Sequence, residues 1–158
     1  MTTSLSLNPI GTVHAEGDRF YLQINVETRP ALQHLNDFSH AHVLFWAHQL
    51  DAAEAHTLVC KKPYRKGPDT IGVFATRAEM RPNPILMTIV PILSVDEESG
   101  IVELAYIDAL EGSPLLDIKP YMPCADRVAS CEVGAWASHW PAHYEDSATF
   151  DWSEEFNF

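Results

Sequence analysis

The sequence predicts a mainly β fold, a small barrel or sandwich with short helical additions. Three observations carry that expectation. Short apolar runs recur with turn-forming residues between them, and long helical periodicity is scarce. Residues 20–26 alternate, with Phe20, Leu22, Ile24 and Val26 on one face and Tyr21, Gln23 and Asn25 on the other. Residues 86–95 and 101–107 flank Asp96-Glu97-Glu98-Ser99-Gly100 and read as a hairpin.

The chain has 158 residues, enough for one domain with a real core. An apolar fraction of 46% fits a globular chain rather than a disordered one. No apolar run reaches membrane-spanning length. Residues 1–6 lack the charge and apolar stretch of a secretory leader, so the cytoplasm is the expected location. Cys60, Cys124 and Cys131 are odd in number and have no C-x-x-C spacing, which argues against a disulfide framework or a structural zinc site. A formal net charge of -12 disfavours broad nucleic-acid binding, whose affinity comes from neutralising phosphates. A local basic patch remains at Lys61, Lys62, Arg65 and Lys66, with Arg77 and Arg81 close behind.

In chain order, residues 10–13 are a strand candidate and residues 14–18 a hairpin turn into the alternating strand. Thr28-Arg29-Pro30 opens a short helix through Leu35, ended by Asn36-Asp37. Residues 38–49 admit two readings. Extended, they put His40, His42, Leu44, Trp46 and His48 on one face, with Val43 and Phe45 on the other; helical, they align His40, Leu44 and His48. The His-x-His spacing suits a metal, but no carboxylate or cysteine lies close in sequence to complete a set, and no metal is expected. Residues 51–56 are a polar connection, 57–60 a short strand, and the basic segment with Pro63, Gly67 and Pro68 a loop.

Ile71-Gly72-Val73-Phe74-Ala75-Thr76-Arg77 then starts as a β-leaning run. It turns into Ala78-Glu79-Met80-Arg81-Pro82-Asn83-Pro84-Ile85, a loop whose path the prolines restrict. Two arginines at the mouth of a strand point to an anionic or π-rich ligand. Pro91 marks the 86–95 strand as an edge or a bulge. Residues 108–113 form a second loop. Residues 114–121 are extended, with Asp117, Lys119 and Tyr121 on one face, alternating with Leu116 and Ile118. Residues 124–137 read as one helical stretch. The acidic remainder carries Trp136, Trp140, Tyr144, Phe150, Trp152, Phe156 and Phe158. G-x-G-x-x-G, G-x-S-x-G and Walker sequences are absent, so a doubly wound dinucleotide or ordinary methyltransferase fold has no support.

The 71–77 run with Arg81-Pro82-Asn83-Pro84-Ile85, and later Gly112-Ser113-Pro114-Leu115-Leu116-Asp117-Ile118-Lys119-Pro120-Tyr121, closely resembles the TrmO/YaeB (TsaA-like) family. Leu35-Asn36-Asp37-Phe38-Ser39-His40, Phe45-Trp46-Ala47-His48-Gln49 and the opening Ile10-Gly11-Thr12-Val13 are similar to its other segments. The resemblance spans residues 10–126. It implies a mainly β fold: a small β-barrel core with short helical additions and an acidic aromatic C-terminal tail. The expected division is a barrel domain over residues 1–135 and a tail over 136–158, packing on the barrel or on a partner.

The resemblance also implies an S-adenosylmethionine-dependent methyltransferase, usually dimeric, acting on N6 of threonylcarbamoyladenosine beside the tRNA anticodon. Cofactor contacts would fall at His48, Gln49, Arg81 and the loop Ala109-Leu110-Glu111-Gly112, with Arg81 facing the methionine carboxylate and loop backbone reading the adenine edge. Arg77 is expected as a structural brace and, with Lys61, Lys62 and Arg65, as a contact to substrate. The N6 of a carbamoylated adenine is a poor nucleophile, so Asp117, Lys119 and Tyr121 are the catalytic candidates: Asp117 or a partner tuned by Lys119 as base, Tyr121 for positioning. The alternative for the first two is an ion pair that only locks the segment.

Three features depart from the family pattern. A short turn at residues 14–18 replaces a longer loop with a Pro-Arg-Gln-Pro-like segment. Leu86-Met87-Thr88 replaces Gly-Leu-Ser. The acidic tail stands where long members have a further domain. The last feature and the net charge keep open a small-molecule acceptor, and the first keeps open a module that holds the cofactor without turnover.

Overall fold

The computed structural model describes residues 5–157. The reading of residues 1–4 as part of no leader, and the place of Phe158 among the tail aromatics, lie outside the described residues.

Six antiparallel strands close into a barrel in the order β1-β2-β7-β6-β3-β8. The strands are β1 (Gly11–Glu16), β2 (Arg19–Ile24), β3 (His40–Trp46), β6 (Ile85–Asp96), β7 (Ile101–Leu104) and β8 (Pro114–Pro120); β4 (Val59–Lys61) and β5 (Thr70–Gly72) make a separate two-stranded hairpin. The predicted mainly β barrel is therefore the observed fold.

Local chemistry explains the hairpins. β1 and β2 pair from Gly11↔Ile24 to Glu16↔Arg19, so the turn is only Gly17-Asp18, with Gly17 at φ +62°. A glycine at the first central position suits the twist of a two-residue turn. The strand thus runs through His14, which the sequence placed in the turn. Between β6 and β7, Asp96 Oδ1 accepts from the backbone N–H groups of Glu98 and Ser99 at 3.0 and 3.2 Å. Gly100 closes that turn at φ +75°.

Residues 38–49 are extended rather than helical. Ala41, Val43 and Phe45 of β3 point inward and are at most 2% exposed. Val43 and Phe45 join Val13, Leu22, Ile24, Val90, Val102, Leu104 and Leu115 in one core. Two 3-10 turns, Val26–Leu32 and Leu35–Asp37, take the place of the short helix and add Leu32 and Leu35 to that core. Each fully buried aliphatic side chain stabilises the barrel by roughly 1.5–3 kcal/mol.

Pro91 lies in a paired stretch of β6, two residues before a bulge, and not at an edge. β6 pairs with β3 through Pro91↔His40, and its register to β7 shifts between Ile92 and Ser94. A closed barrel has no edge strand; the Pro91 carbonyl accepts from the Ala105 N–H at 3.1 Å, one residue past the end of β7, so the missing N–H falls where that ladder ends. A second bulge lies in β8: Leu44 faces Asp117 but Phe45 faces Leu115, which leaves Leu116 unpaired. Leu115 is buried and Ile118 packs on the same core, so the simple alternation of Leu116 with Ile118 fails. Asp117 and Lys119 still share the outward side, opposite Leu44 and His42.

By contacts the chain divides into two units, Met1–Ala55 with Asn83–Arg127, and His56–Pro82 with Val128–Phe158. The first is the barrel. In the second, the β-leaning run of 71–77 stops as a strand at Gly72 and becomes a 3-10 turn, Val73–Ala75. The Thr76 N–H and hydroxyl both donate to the Val73 carbonyl, at 3.0 and 2.8 Å, and that closure ends the strand. The single helix read over 124–137 is absent. Helical turns cover only Pro123–Asp126 and Ala135–Ala137, with Arg127 already at φ −91°, ψ 119°.

The last residues of the second unit return to Tyr64. Tyr64 stacks on Trp136 at 4.7 Å and meets Trp140 and Phe156 edge-on or tilted, while Trp140 meets Trp152 at 5.4 Å. Tyr64 and Phe156 form an isolated antiparallel bridge. Burial in this cluster pushes the Tyr64 hydroxyl up from its ordinary pKa. Glu155, 3% exposed, accepts from Trp140 Nε1 at 3.1 Å and pairs with His139 and Lys66. These donors, Trp140 first, hold its carboxyl down at about 2 against the opposing effect of burial.

Candidate functional site

The barrel unit brings together two of the expected segments. His48 follows β3 and is half-buried; its Nδ1 lies 3.3 Å from the hydroxyl of Ser113, a residue 2% exposed at the entry to β8. Gln49 is exposed. The last turn of the loop Ala109-Leu110-Glu111-Gly112 is pinned to β1 and closed on itself. The Gly112 N–H donates to the Val13 carbonyl at 3.0 Å, and the Ser113 N–H to the Leu110 carbonyl at 3.2 Å. Glu111 Oε2 accepts from the Ala15 N–H and Oε1 meets His14 Nδ1, both at 2.7 Å. The Ala15 N–H, and then His14, lower the Glu111 pKa below its ordinary value.

Gly112 holds φ +77° with nothing near the place a Cβ would occupy. Among the described residues, the N–H and C=O of Ala109 and Glu111 take no hydrogen bond. The loop is thus fixed by its side chains while part of its backbone stays available, the donor and acceptor set that a purine edge requires.

On the outer face of the same barrel, Lys119 Nζ lies 2.6 Å from Asp117 Oδ2, and Asp117 Oδ1 accepts from the Ile118 N–H at 2.9 Å. Both oxygens of that carboxylate are engaged. His42 stands cross-strand from Lys119, with its Nε2 3.2 Å from Asp126 Oδ1 and its ring 5.6 Å from that of Tyr121. Sequence reasoning missed Ser113, His14, His42 and Asp126 as members of these arrangements. Ser113 was within a quoted motif, but its partner lies 65 positions away and only the β3–β8 pairing joins them. Among the described residues no three His, Cys, Asp and Glu side chains form a metal set, and all three cysteines are free.

Arg81, Arg77, Lys61, Lys62 and Arg65 belong to the second unit. Arg81 is a brace within it: Nε donates to the Ala78 carbonyl at 2.9 Å, and Nη2 to the Val73 and Thr76 carbonyls at 3.1 and 2.7 Å. Nη1 takes no bond among the described residues. Arg77 is exposed, and its backbone N–H bonds the Tyr64 hydroxyl. The basic patch is largely neutralised. Lys62 pairs with Asp69, Arg65 with Glu154 and Lys66 with Glu155, while Lys61 is exposed.

A closed six-stranded antiparallel barrel with polar groups in its loops and on its outer wall defines a small β-barrel protein, distinct from doubly wound nucleotide folds. The model of the tRNA-methyltransferase O N-terminal domain matches residues 4–127, and the chain belongs to that family.

The tRNA (adenine(37)-N6)-methyltransferase of Escherichia coli is 34% identical over 134 residues, covering 84% of this chain and 56% of that protein. An S-adenosyl-L-methionine-binding protein of Archaeoglobus fulgidus is 37% identical over 106 residues, 67% of this chain and 71% of the relative. The crystal structure of TrmO from Pseudomonas aeruginosa superposes with a TM-score of 0.66 at 30% identity, over 85% of this chain and 62% of that one. The chain spans about half the length of several curated relatives it matches, 44%, 56% and 49% in three of them. Among the described residues, no helix is long and apolar enough to cross a membrane.

Proposed function

We propose that the chain is an S-adenosylmethionine-dependent methyltransferase whose acceptor is N6 of threonylcarbamoyladenosine next to the tRNA anticodon. The observation that carries the reading is the 109–112 loop, held by Glu111 and Ser113 while the backbone of Ala109 and Glu111 stays unpaired. Those groups fit an adenine edge, and relatives named for S-adenosylmethionine and for tRNA methylation support the assignment.

When bound, the cofactor supplies an electrophilic sulfonium methyl. The rest falls to the residues of this chain. His48, Gln49 and the backbone of 109–112 bind and orient the adenosine. The open Nη1 of Arg81 pairs with a carboxylate. Holding the acceptor in line supplies much of the barrier reduction. Asp117 receives the N6 proton, Lys119 orients the Asp117 carboxylate, and Tyr121 positions the base. Lys61 and Arg77, both exposed, contact substrate phosphate, and Lys62 and Arg65 join them only by leaving Asp69 and Glu154. A two-fold dimer in the cytoplasm belongs to the same reading, and light scattering of the native protein checks the dimer.

A second reading, a small-molecule acceptor, is favoured by one observation: Lys62, Arg65 and Lys66 already face carboxylates. Purified protein is expected to bind S-adenosylmethionine and to methylate tRNA carrying threonylcarbamoyladenosine. Binding without methylation of that tRNA leaves the small-molecule reading. Binding with no S-adenosylhomocysteine formed from any acceptor leaves a module that only holds the cofactor.

A further inference from the structure

Phe74 is the most exposed large aromatic side chain among the described residues, at 81%, and it does not sit on a loose loop. Its neighbours Val73 and Thr76 are 1% and 9% exposed. The turn that carries it is closed by Thr76 onto the Val73 carbonyl, and the Val73 N–H donates to the Leu58 carbonyl at 3.0 Å. The Arg81 guanidinium clamps the same turn through the Val73 and Thr76 carbonyls. The backbone is therefore fixed on both sides of a ring that points into solvent. Leu58, whose carbonyl takes the Val73 N–H, and Val59, paired with Gly72, are themselves 70% and 53% exposed.

We infer that Phe74 is a stacking platform for an unpaired nucleobase of the acceptor RNA, an inference that rests on the tRNA reading above. Charge selects this occupant. At the far end of the β4–β5 hairpin, Lys62, Arg65 and Lys66 are matched by Asp69, Glu154 and Glu155. At the Phe74 end, the Arg81 guanidinium bonds only carbonyl groups, so its positive charge stays on the turn that presents the ring. An exposed, rigidly held ring with no carboxylate on its turn matches the face of a base, and because Arg81 serves the cofactor carboxylate in the reading above, the contact is stacking without a phosphate pair. The ring's rigid presentation means that little ordering entropy is lost on contact. A net charge of -12 makes broad phosphate tracking unfavourable, so recognition concentrates on a splayed base.

The test compares wild type, Phe74→Ala and Phe74→Trp for binding to a labelled anticodon stem-loop carrying threonylcarbamoyladenosine, with S-adenosylmethionine titrated in parallel. Phe74→Ala is expected to weaken RNA binding by roughly 5- to 100-fold, the range that stacking one base on a ring supplies. Phe74→Trp is expected to restore it, and cofactor affinity to stay unchanged in both. RNA binding unaltered by Phe74→Ala overturns the inference alone. An equal loss of cofactor affinity assigns the ring to the cofactor and also overturns it, as does a shift in self-association that accounts for the RNA effect. Wild-type protein that binds cofactor but no RNA removes the tRNA reading, and the inference with it.

Discussion

The Ser113 hydroxyl and His48 Nδ1 lie 3.3 Å apart, joining the turn after β3 to the entry of β8. Ser113 is 2% exposed, so little water can replace a lost partner. Ser113→Ala is expected to leave the barrel folded and to weaken S-adenosylmethionine binding by roughly 2- to 10-fold, the worth of one neutral hydrogen bond. Titration calorimetry reads the change. An unaltered affinity would take His48 out of the proposed cofactor contacts.

The Asp117–Lys119 pair separates chemistry from architecture. Its side chains are 43% and 64% exposed, a setting in which ion pairs contribute at most about 1 kcal/mol. Asp117→Asn and Lys119→Met are therefore expected to cost less than about 1 kcal/mol in urea unfolding. As the proton acceptor, Asp117 predicts a fall in kcat of about 100-fold or more for Asp117→Asn, with KM for S-adenosylmethionine unchanged. A variant that retains wild-type kcat would make the pair a lock and nothing more.

Arg81 is both brace and proposed ligand, and Arg81→Lys exposes the difference from a point charge. Lysine keeps the positive charge but not the planar fork that reaches three carbonyls. Both Arg81→Ala and Arg81→Lys are expected to lose about tenfold or more in cofactor affinity. Calorimetric affinity equal to wild type in Arg81→Ala would remove the contact to the cofactor carboxylate.

Glu155 gives the second unit a pH dependence whose sign is fixed. Its folded value of about 2 lies below the ordinary 4.5, so its contribution is fully present above pH 4.5 and is lost as pH falls toward 2. Glu155→Gln is expected to lower Tm at neutral pH and to flatten the Tm profile between pH 4.5 and 2. Parallel wild-type and variant profiles through that window would show that the carboxylate is not the anchor.

Much of the barrel was legible because its strands are half-buried. The alternation over 20–24 and the turn at Asp96 to Gly100 are local patterns that a core facing one side imposes. Val26, read onto the same face, is instead 69% exposed in the 3-10 turn after β2, and residues 38–49 admitted a helix as well as a strand. The site motifs were legible only as a resemblance to a family, and they named His48, the 109–112 loop and Asp117 without their partners. Asp126, which approaches His42, and His14, which meets Glu111, come from segments that carried no chemical signature by themselves.

What the sequence alone determined was the class of fold and where the chain turns, because side-chain period, proline and glycine act within a few residues. The tertiary structure decided the bulge at Leu116, set by the pairing of β8 with β3, and the end of the 71–77 run at Gly72, which Arg81 helps to clamp. It also decided the fate of the basic patch, whose cations meet Glu154 and Glu155 from 89 positions away. Pairing across such separations depends on the whole chain having folded, and no local pattern of residues encodes it.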